Sequence, residues 1–336
     1  MFQTKKVVIL VNIGTPDKPE RKYVRRYLRE FLGDPRVIDI PTLARWVLVN
    51  IIIAPFRSIN STRLYKKVWT ENGSPLVYYG YNAAKKLQEE LGKDYNVKLA
   101  MRYQKPHLGD ILKEMKQMPL EQIIIFPLFP QYASATSGSI IDFSMNALRR
   151  WHVIPDVKFI HQFYDHPGFL EAFESRVKEH DISSYDHVIM SYHGLPLRQI
   201  EKSHQGFHCN QNECKNRMLP EFMNCYKATC YDTSRKLAER LDLKEHDYSV
   251  TFQSRLSNNW LEPFTDKKIE ALAGKGLKKL LVISPAFVAD CLETIVEIED
   301  EYNTLFKSLG GEKLTLVKSL NDHPRWIQAM AELVRE

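Results

Sequence analysis

Short runs of β-branched and other apolar residues recur along the chain, separated by segments with the spacing of amphipathic helices. Such runs are typical of strands that are buried on both faces, as in a parallel sheet. Strands are predicted at residues 5–11, 97–103, 122–126, 185–192, 248–252 and 278–283. Helices are predicted at residues 20–31, 76–91, 284–302 and 324–334. This alternation predicts an α/β fold with doubly wound parallel sheets.

The loops that follow three strands in the first half of the chain are matched, in the same order, in the second half. The matching pairs are 12–16 (NIGTP) with 192–196 (YHGLP), 102–103 (RY) with 253–255 (QSR), and 127–129 (PLF) with 285–287 (PAF). The common order predicts two similar halves, at residues 1–155 and 156–320, with a closing helix at 321–336 that packs across them. Because parallel α/β sheets bind ligands beyond the carboxyl ends of their strands, we expect an active-site cleft between the halves.

Residues 40–56 form a strongly apolar, amphipathic segment that contains one charged residue, Arg45. Its longest apolar stretch, residues 46–55, is far shorter than the roughly 20 residues that span a bilayer. Two interpretations remain open. The segment is either a buried core helix or an exposed apolar lip that contacts lipid or guides an apolar substrate.

The composition is that of a soluble globular protein, and 336 residues suffice for two domains. The formal net charge is +6, and no run of Lys and Arg is long enough for a nucleic-acid-binding arm. We therefore expect an anionic partner that is not a polyanion. No signal-peptide pattern opens the sequence, which predicts a cytoplasmic protein, with peripheral attachment to the inner face of the membrane as the alternative. No pattern indicates an oligomeric state.

The segment 284–302 (SPAFVADCLETIVEIEDEY) is rich in carboxylates and follows a predicted strand. In an α-helix, Asp290, Glu293 and Glu297 would share one face, because they are spaced i, i+3, i+7. A solvated acidic face near a helix N-terminus is the simpler interpretation. The position after a parallel strand and the apolar residues between the acids favour a file of carboxylates that carries a divalent cation or protons.

His193 follows a predicted buried strand and precedes Gly-Leu-Pro. A single histidine is more often a structural hydrogen-bonding residue than a catalyst. Its position at the carboxyl end of a strand, in the half that also contains the acidic segment, favours a metal ligand or proton acceptor. Together with Glu293 it offers one nitrogen and one oxygen donor, which suits transient handling of a metal such as Fe²⁺.

Four cysteines are clustered in a polar segment, residues 207–231. Cys209, Cys214, Cys225 and Cys230 have spacings of four, ten and four intervening residues. Without a secretory signal, such a group indicates a metal centre more than disulfides. Four thiolates bind Zn²⁺ or bridge two irons, and inert thiols are the remaining alternative. Since the segment has few apolar residues, a bound metal would supply its order.

Four further residues are candidates for binding a flat anionic ligand, because arginine binds carboxylates in a bidentate manner and aromatic rings stack on flat ligands. They are Arg57, Arg102, Tyr103 and Trp260.

These motifs together resemble the ferrochelatases, which insert ferrous iron into a porphyrin, and the resemblance covers nearly the whole chain. It is carried by residues 12–16 (NIGTP), 72–76 (NGSPL), 101–103 (MRY), 130–132 (PQY), 191–196 (SYHGLP), 252–255 (FQSR) with 260–266 (WLEPFTD), and 290–294 (DCLET). It implies two similar Rossmann-like, chelatase-type domains with the porphyrin in the cleft between them.

The resemblance also implies site residues. His193 and Glu293 would be the central active-site pair, which also handles the substrate Fe²⁺, and Asp290 and Glu297 would line an acidic path. Around the porphyrin would lie Ile13, Arg57, Ser74, Arg102, Tyr103 and Trp260. Residues 40–56 correspond to an apolar lip that contacts membrane in some relatives.

Some bacterial members carry a [2Fe–2S] cluster on cysteines inside the second domain, and the segment from Cys209 to Cys230 looks like that arrangement. Structural zinc is the alternative. The sequence departs from many members at Cys291, where they have histidine, which puts that position in doubt as a ligand.

The expected function is insertion of Fe²⁺ into protoporphyrin IX to form protohaem, the terminal step of haem biosynthesis. A coproporphyrin ferrochelatase is the alternative within the same class. A non-catalytic haem or iron–sulfur sensor on the same scaffold is the alternative from another class. The His193–Glu293 pair disfavours the sensor, because a sensor needs no proton acceptor beside an acidic segment.

Overall fold

The computed structural model describes residues 5–204 and 213–336. Two four-stranded sheets form its framework, and every pair of neighbouring strands is parallel. The strands are β1 (Lys5–Gly14), β2 (Tyr95–Tyr103), β3 (Leu120–Pro127), β4 (Asp156–Phe159), β5 (His187–His193), β6 (Tyr248–Gln253), β7 (Lys279–Ile283) and β8 (Lys313–Leu316). The order is β2-β1-β3-β4 in one sheet and β6-β5-β7-β8 in the other. The predicted α/β fold with two similar halves is confirmed.

Helices connect the strands. They are α1 (Arg21–Gly33), α2 (Thr42–Val47), α3 (Ala54–Val68), α4 (Pro75–Leu91), α5 (Leu108–Met115), α6 (Ser139–Leu148), α7 (Pro167–Val177), α8 (Leu197–Glu201), α9 (Glu213–Asn216), α10 (Tyr226–Arg240), α11 (Thr265–Gly274), α12 (Asn303–Ser308) and α13 (Pro324–Arg335). Three further segments are π-helical: Leu48–Ile53, Ser134–Gly138 and Glu293–Tyr302. Short 3₁₀ turns occur at Ile182–Ser184 and Pro220–Phe222.

The chain divides into two compact units. One comprises residues 5–129, 133–162 and 330–336, and the other comprises 130–132, 163–204 and 213–329. Each unit contains one of the sheets. The predicted boundaries at 155 and 320, and the packing of the closing helix across the halves, stay predictions.

Each sheet has a core of side chains from its central strands and the helices that cover it. In the first unit, β1 contributes Val7, Ile9 and Val11, which are fully buried together with Ile123 and Ile125 of β3. The equivalent positions in the second unit are Ile189, Leu280 and Val282. Burial on both faces explains why these strands are continuous apolar runs.

The outer strands β4 (DVKF) and β8 (KLTL) are absent from the strands predicted above. Each has four residues, and most of their side chains are partly or fully exposed. Strands at the edge of a sheet are covered on fewer sides, so their sequences lack the continuous apolar run that marks the inner strands.

The apolar segment begins a continuous helical stretch from Thr42 to Val68, formed by α2, the first π segment and α3. By length and composition this stretch could cross a membrane, which corrects the expectation from the shorter run 46–55. Only 22% of its most apolar window is buried. One side nevertheless packs on the protein, since Val49 and Ala54 are fully buried against α1.

Arg45 anchors the start of this stretch. Its guanidinium donates from Nε to Gly33 O at 3.0 Å and from Nη1 to Ile40 O at 2.7 Å. The charge is therefore buried but hydrogen-bonded to carbonyl groups, as a buried arginine must be. These contacts fix the segment to the C-terminal end of α1.

The acidic segment differs from its prediction. Residues 284–291 are irregular, and the regular helix from Glu293 to Tyr302 is a π-helix. Asp290 therefore lies before the helix and does not share a helical face with Glu293 and Glu297. In a π-helix the hydrogen bonds join residues five apart, so an extra residue is accommodated in each turn.

Candidate active site

His193 is the last residue of β5, and its imidazole is half-buried. Its Nδ1 lies 2.6 Å from the carbonyl oxygen of Gly194. Because a carbonyl oxygen only accepts hydrogen bonds, Nδ1 must carry the ring proton when the imidazole is neutral. The lone pair is then on Nε2, where it can accept a proton or bind a metal.

Aromatic residues surround this imidazole. The ring centroids of Trp260 and Phe287 lie 6.4 and 6.5 Å from that of His193. The phenol of Tyr226 donates to the backbone carbonyl of His193 at 2.9 Å. The histidine is thus held from its backbone and flanked by apolar rings that limit the access of water.

Gly194 allows a close approach of two backbones beside the histidine. Its N–H donates to Gln253 O at 2.8 Å. A Cβ at this position would lie 2.8 Å from that oxygen and 3.3 Å from the Trp260 ring. Any larger residue would push β6 or the indole away from His193, which explains glycine directly after the histidine.

Glu297 is held by four hydrogen bonds. It accepts from Gln253 Nε2 at 3.1 Å, from the backbone N–H and hydroxyl of Ser254 at 2.8 and 2.5 Å, and from Tyr302 OH at 2.9 Å. Burial, and then the charge of Glu297, raise the pKa of the Tyr302 phenol far above its usual range, so Tyr302 remains a donor. Both carboxylate oxygens are occupied, and the side chain is fixed.

Glu293 is the first residue of the π-helix, one helical turn before Glu297. Its backbone carbonyl accepts a hydrogen bond from Gln253 Nε2 at 3.0 Å. The Cys291 thiol is hydrogen-bonded to its side chain, and burial, followed by the charge of Glu293, holds the pKa of that thiol well above its usual range. Whether Cys291 serves as a metal ligand stays a question that the sequence raised.

Gln253 connects these groups. It is the β6 partner of His193 in the parallel register, and its amide contacts both Glu293 and Glu297. The second unit thus brings His193, Trp260 and the two glutamates around the carboxyl ends of β5 and β6. Such an arrangement offers one imidazole nitrogen and a line of carboxylates, the donor types that transfer protons or loosely bind a divalent metal.

Asp290 is buried in a different network. Its carboxylate accepts from Ser319 N at 3.0 Å and from Asn321 Nδ2 at 2.7 Å, and its own N–H donates to Asn321 Oδ1 at 2.9 Å. These contacts hold the loop before the π-helix. The predicted role of Asp290 on an acidic path stays a prediction.

In the first unit, Arg102 and Tyr103 end β2 and converge on Asp34. The Asp34 carboxylate accepts from Arg102 Nη2 at 2.7 Å, from Tyr103 OH at 2.9 Å and from Ser139 Oγ at 2.6 Å. Burial alone would raise the pKa of Asp34. The hydrogen bonds from Ser139 and from Arg36 N, together with the charge of Arg102, outweigh it and hold that pKa below its usual value.

Arg102 is accordingly hydrogen-bonded to Asp34 and Ser139, and its predicted contact with a porphyrin stays a prediction. Its side chain also stacks over Tyr103 and Phe143, with the guanidinium carbon 4.7 and 4.4 Å from the ring centroids. This geometry supports a role in shaping the end of β2.

The remaining porphyrin candidates of the first unit lie in different settings. Ile13, near the end of β1, packs against the core formed by α1 and the apolar segment. Ser74 is buried and donates to Thr15 Oγ1 at 3.3 Å. Arg57 lies exposed on α3. Direct contacts of these side chains with a porphyrin stay predictions.

Three of the four clustered cysteines are described, and Cys209 lies outside the described residues. Cys214 is in α9, Cys225 precedes α10 and Cys230 is within α10, and all three are buried. Within residues 5–204 and 213–336, no group of three or more His, Cys, Asp or Glu side chains is placed to hold a metal ion. Burial, and more weakly the neighbouring Cys225, raise the pKa of the Cys230 thiol well above its usual range.

The last part of the polar segment is helical, and the expectation that a metal orders the segment stays a prediction. From Tyr226 onward the chain forms α10, whose first nine residues are all buried. Residues 226–231 thus belong to the packed part of the second unit. Its polar residues are satisfied inside the unit, as shown by Ser234 Oγ at 2.8 Å from Tyr192 OH.

Several residues of the site were not singled out from the sequence. Gln253 and Ser254 lie in the FQSR motif at the end of a predicted strand, and Tyr302 closes the acidic segment, so the sequence pattern could have identified these three residues. No pattern in the sequence could have identified Asp34 and Asn321, because their hydrogen-bond partners are distant in the sequence.

The sequence of the chain is similar to those of ferrochelatases. The Ferrochelatase family model matches residues 5–336. The chain is 42% identical to a ferrochelatase of Legionella pneumophila (strain Lens) over 330 residues, covering 98% of each protein. It is 40% identical to a ferrochelatase of Coxiella burnetii (strain CbuG_Q212) over 333 residues, covering 98% of this chain and 93% of the relative.

Solved structures agree with the fold. SirB from Bacillus subtilis, determined with Fe³⁺, aligns with a TM-score of 0.57 at 10% identity, covering 99% of this chain and 95% of SirB. The sirohydrochlorin chelatase SirB of Bacillus subtilis subspecies spizizenii, in complex with cobalt, aligns with a TM-score of 0.54 at 12% identity over the same shares. At this identity the similarity concerns the fold alone.

Proposed function

The chain belongs to the ferrochelatase family, and from this premise we propose that it inserts Fe²⁺ into protoporphyrin IX to form protohaem, the terminal step of haem biosynthesis. The observation that carries the proposal is the geometry of His193. Its Nδ1 donates to Gly194 O, so its Nε2 has a free lone pair beside Trp260. The glutamates linked to it through Gln253 supply the acidic groups that the reaction needs.

Metal insertion replaces two pyrrole protons of the porphyrin by one Fe²⁺, so two protons leave for each metal that enters. A flat porphyrin directs its nitrogen lone pairs poorly toward an approaching ion, and binding energy at the rim of the ring can bend it. His193 Nε2 would accept a pyrrole proton or deliver the metal. Glu293 and Glu297 would conduct protons or Fe²⁺.

The choice of porphyrin follows from the apolar surface of the first unit. Coproporphyrin has four propionates and protoporphyrin has two, so an apolar surface favours protoporphyrin. The apolar lip, residues 40–56, exposes Leu43, Trp46 and Phe56 by 77%, 57% and 72%. These apolar side chains would bind protoporphyrin, the less polar substrate, more favourably than coproporphyrin.

Steady-state insertion of zinc into each porphyrin, followed by fluorescence of the zinc product, tests this function. We expect turnover with protoporphyrin and a kcat/KM at least about tenfold lower with coproporphyrin, equivalent to about 1.4 kcal/mol. The reverse preference would assign the coproporphyrin alternative. Porphyrin binding without any insertion would instead support the non-catalytic sensor.

The [2Fe–2S] cluster remains a separate proposal. It would be held by Cys209, Cys214, Cys225 and Cys230, with structural zinc as the alternative. The donor type suits either metal centre. The described thiols do not by themselves form a ligand group, so the proposal depends on the spacing and on the family resemblance.

Single Cys→Ser variants test the cluster. Anaerobically purified, iron-replete protein should be red-brown and give an EPR signal on one-electron reduction, and Cys214→Ser, Cys225→Ser and Cys230→Ser should each lose both properties. Cys291→Ser is the matched control, because Cys291 is buried beside Glu293 and outside the segment, and it should keep the colour. Colourless protein free of iron and sulfide would refute the cluster, and zinc bound in its place would support the alternative.

We also propose a cytoplasmic protein that touches the membrane peripherally through residues 40–56. Val49 and Ala54 are committed to the protein core, whereas Trp46, Ile51 and Ile52 are more than half exposed. A helix with one side packed on its own protein fits contact with one leaflet better than a transmembrane span.

A further inference from the structure

Helix α1 concentrates positive charge on one side. Five cations occur within its first nine residues: Arg21, Lys22, Arg25, Arg26 and Arg29. Together with Tyr23 and Glu30 they line a surface groove of about 850 Å³. Glu30 is paired with Arg26 at 3.3 Å, so the groove keeps a strong excess of positive charge.

The opposite side of α1 explains why these cations face outward. Val24, Tyr27 and Leu28 are buried against Val49 and Ala54 of the helical stretch that follows. This apolar contact fixes the rotation of α1, and Lys22, Arg26 and Arg29 remain exposed. None of the residues proposed above for porphyrin binding or catalysis lies on α1.

The basic groove is continuous with the apolar lip. Arg21 Nη2 donates to Pro55 O at 3.3 Å, which joins the first turn of α1 to the end of the lip. Ile51, Ile52 and Phe56 are exposed by 57%, 52% and 72% in the same unit. Further cations are exposed on α3 beyond the lip: Arg63, Lys66 and Lys67.

Exposed apolar side chains bordered by cations are complementary to a membrane with negative headgroups. Apolar residues enter the boundary of the acyl chains, and Lys and Arg interact with the phosphates above them. Each basic residue near an anionic membrane contributes about 1 kcal/mol, an attraction that falls within a Debye length. An acidic protein would match the charges of α1 but would leave the neighbouring apolar side chains exposed.

We propose that the α1 groove binds the headgroups of anionic phospholipids while the lip enters the same leaflet, so that membrane attachment requires negative lipid charge. This proposal rests on the peripheral contact proposed above and adds its lipid specificity. Neither element alone would then hold the protein on a membrane: the one charged residue of the lip, Arg45, is buried, and no large hydrophobic side chain is exposed on α1.

Flotation of the full-length protein with lipid vesicles tests the proposal. The vesicles are phosphatidylcholine alone or phosphatidylcholine with about one-third phosphatidylglycerol. Wild-type protein should bind the anionic vesicles at least about tenfold more strongly, and Lys22→Glu with Arg29→Glu should remove this difference. Raising the salt to about 0.5 M should weaken wild-type binding, because the interaction is screened.

A matched charge control lies on the same unit. Lys113→Glu with Lys116→Glu changes the net charge by the same amount at exposed positions of α5 and the residue after it, and should leave binding within about twofold of wild type. An apolar variant, Trp46→Ser with Ile51→Ser, should weaken binding to the anionic vesicles as well, since both elements are required.

Three results would overturn the proposal: equal binding to both kinds of vesicle, anionic binding that survives Lys22→Glu with Arg29→Glu, or an equal loss in the α5 control. Absence of binding to any vesicle would overturn the peripheral contact as well. Zinc insertion into detergent-solubilised protoporphyrin measures the chelatase function separately and should be unchanged in the α1 variant.

Discussion

His193→Ala should abolish metal insertion while the protein stays folded and still binds porphyrin. The substitution removes the Nε2 lone pair and the only histidine among the described residues that ends a β-strand beside the acidic π-helix. The side chain is only half-buried and makes one hydrogen bond to its neighbouring carbonyl, so its loss should cost little stability. We expect zinc insertion to fall by far more than tenfold, a change of at least about 1.4 kcal/mol in transition-state free energy.

Two further variants separate this role from general effects. His193→Asn keeps a donor that can reach Gly194 O but has no basic nitrogen, so it should be as inactive as alanine. His246→Ala removes an exposed histidine of the same unit, whose side chain is 83% exposed, and should retain wild-type turnover. If His193→Ala retains more than about a tenth of wild-type turnover with porphyrin binding intact, His193 is not the proton acceptor or metal donor.

The fold was predictable where burial dominates the sequence. Residues Val7 to Val11 have no exposed surface, and such an uninterrupted apolar run is typical of an inner strand of a parallel sheet. The repeated loops after β1 and β5 also revealed the internal symmetry, because each supplies a turn at the carboxyl end of the central strand. The edge strands β4 and β8 were missed, since four half-exposed residues do not differ from a loop in composition.

The position of a candidate site residue was predictable where it ends a strand. His193, the last residue of β5, is the example. Contacts between residues that are distant in the sequence were not predictable. Asp34 and Arg102 are 68 positions apart, and Asp290 and Asn321 are 31 positions apart. Only tertiary folding selects these partners from many equivalent polar residues.

The form of the acidic helix was the other failure. Glu293 and Glu297 are four residues apart, a spacing that fits an α-helix as well as the observed π-helix. The observed helix makes contacts with another element. Gln253 of β6 donates to the backbone carbonyl of Glu293 and to the side chain of Glu297, and the sequence of the acidic segment does not reveal either contact.

Glu293→Gln should reduce turnover nearly as much as His193→Ala, with little change in porphyrin affinity. The substitution preserves size and hydrogen bonding but removes the negative charge, and a neutral amide can neither accept a proton nor attract Fe²⁺. The backbone bond from Gln253 to residue 293 remains available, so the π-helix should keep its start. Zinc insertion at saturating porphyrin, together with the dissociation constant for porphyrin, measures the two effects separately.

Glu299→Gln is the control for this variant, because it makes the same chemical change at an exposed position of the same π-helix. It should keep turnover within about twofold of wild type. A loss of equal size in both variants would mean that the total charge of the helix matters and not the position of Glu293. Weaker porphyrin binding in Glu293→Gln with normal turnover at saturation would make Glu293 a binding residue. Only a loss confined to turnover, and to position 293, supports its role in moving protons or metal at the end of β5.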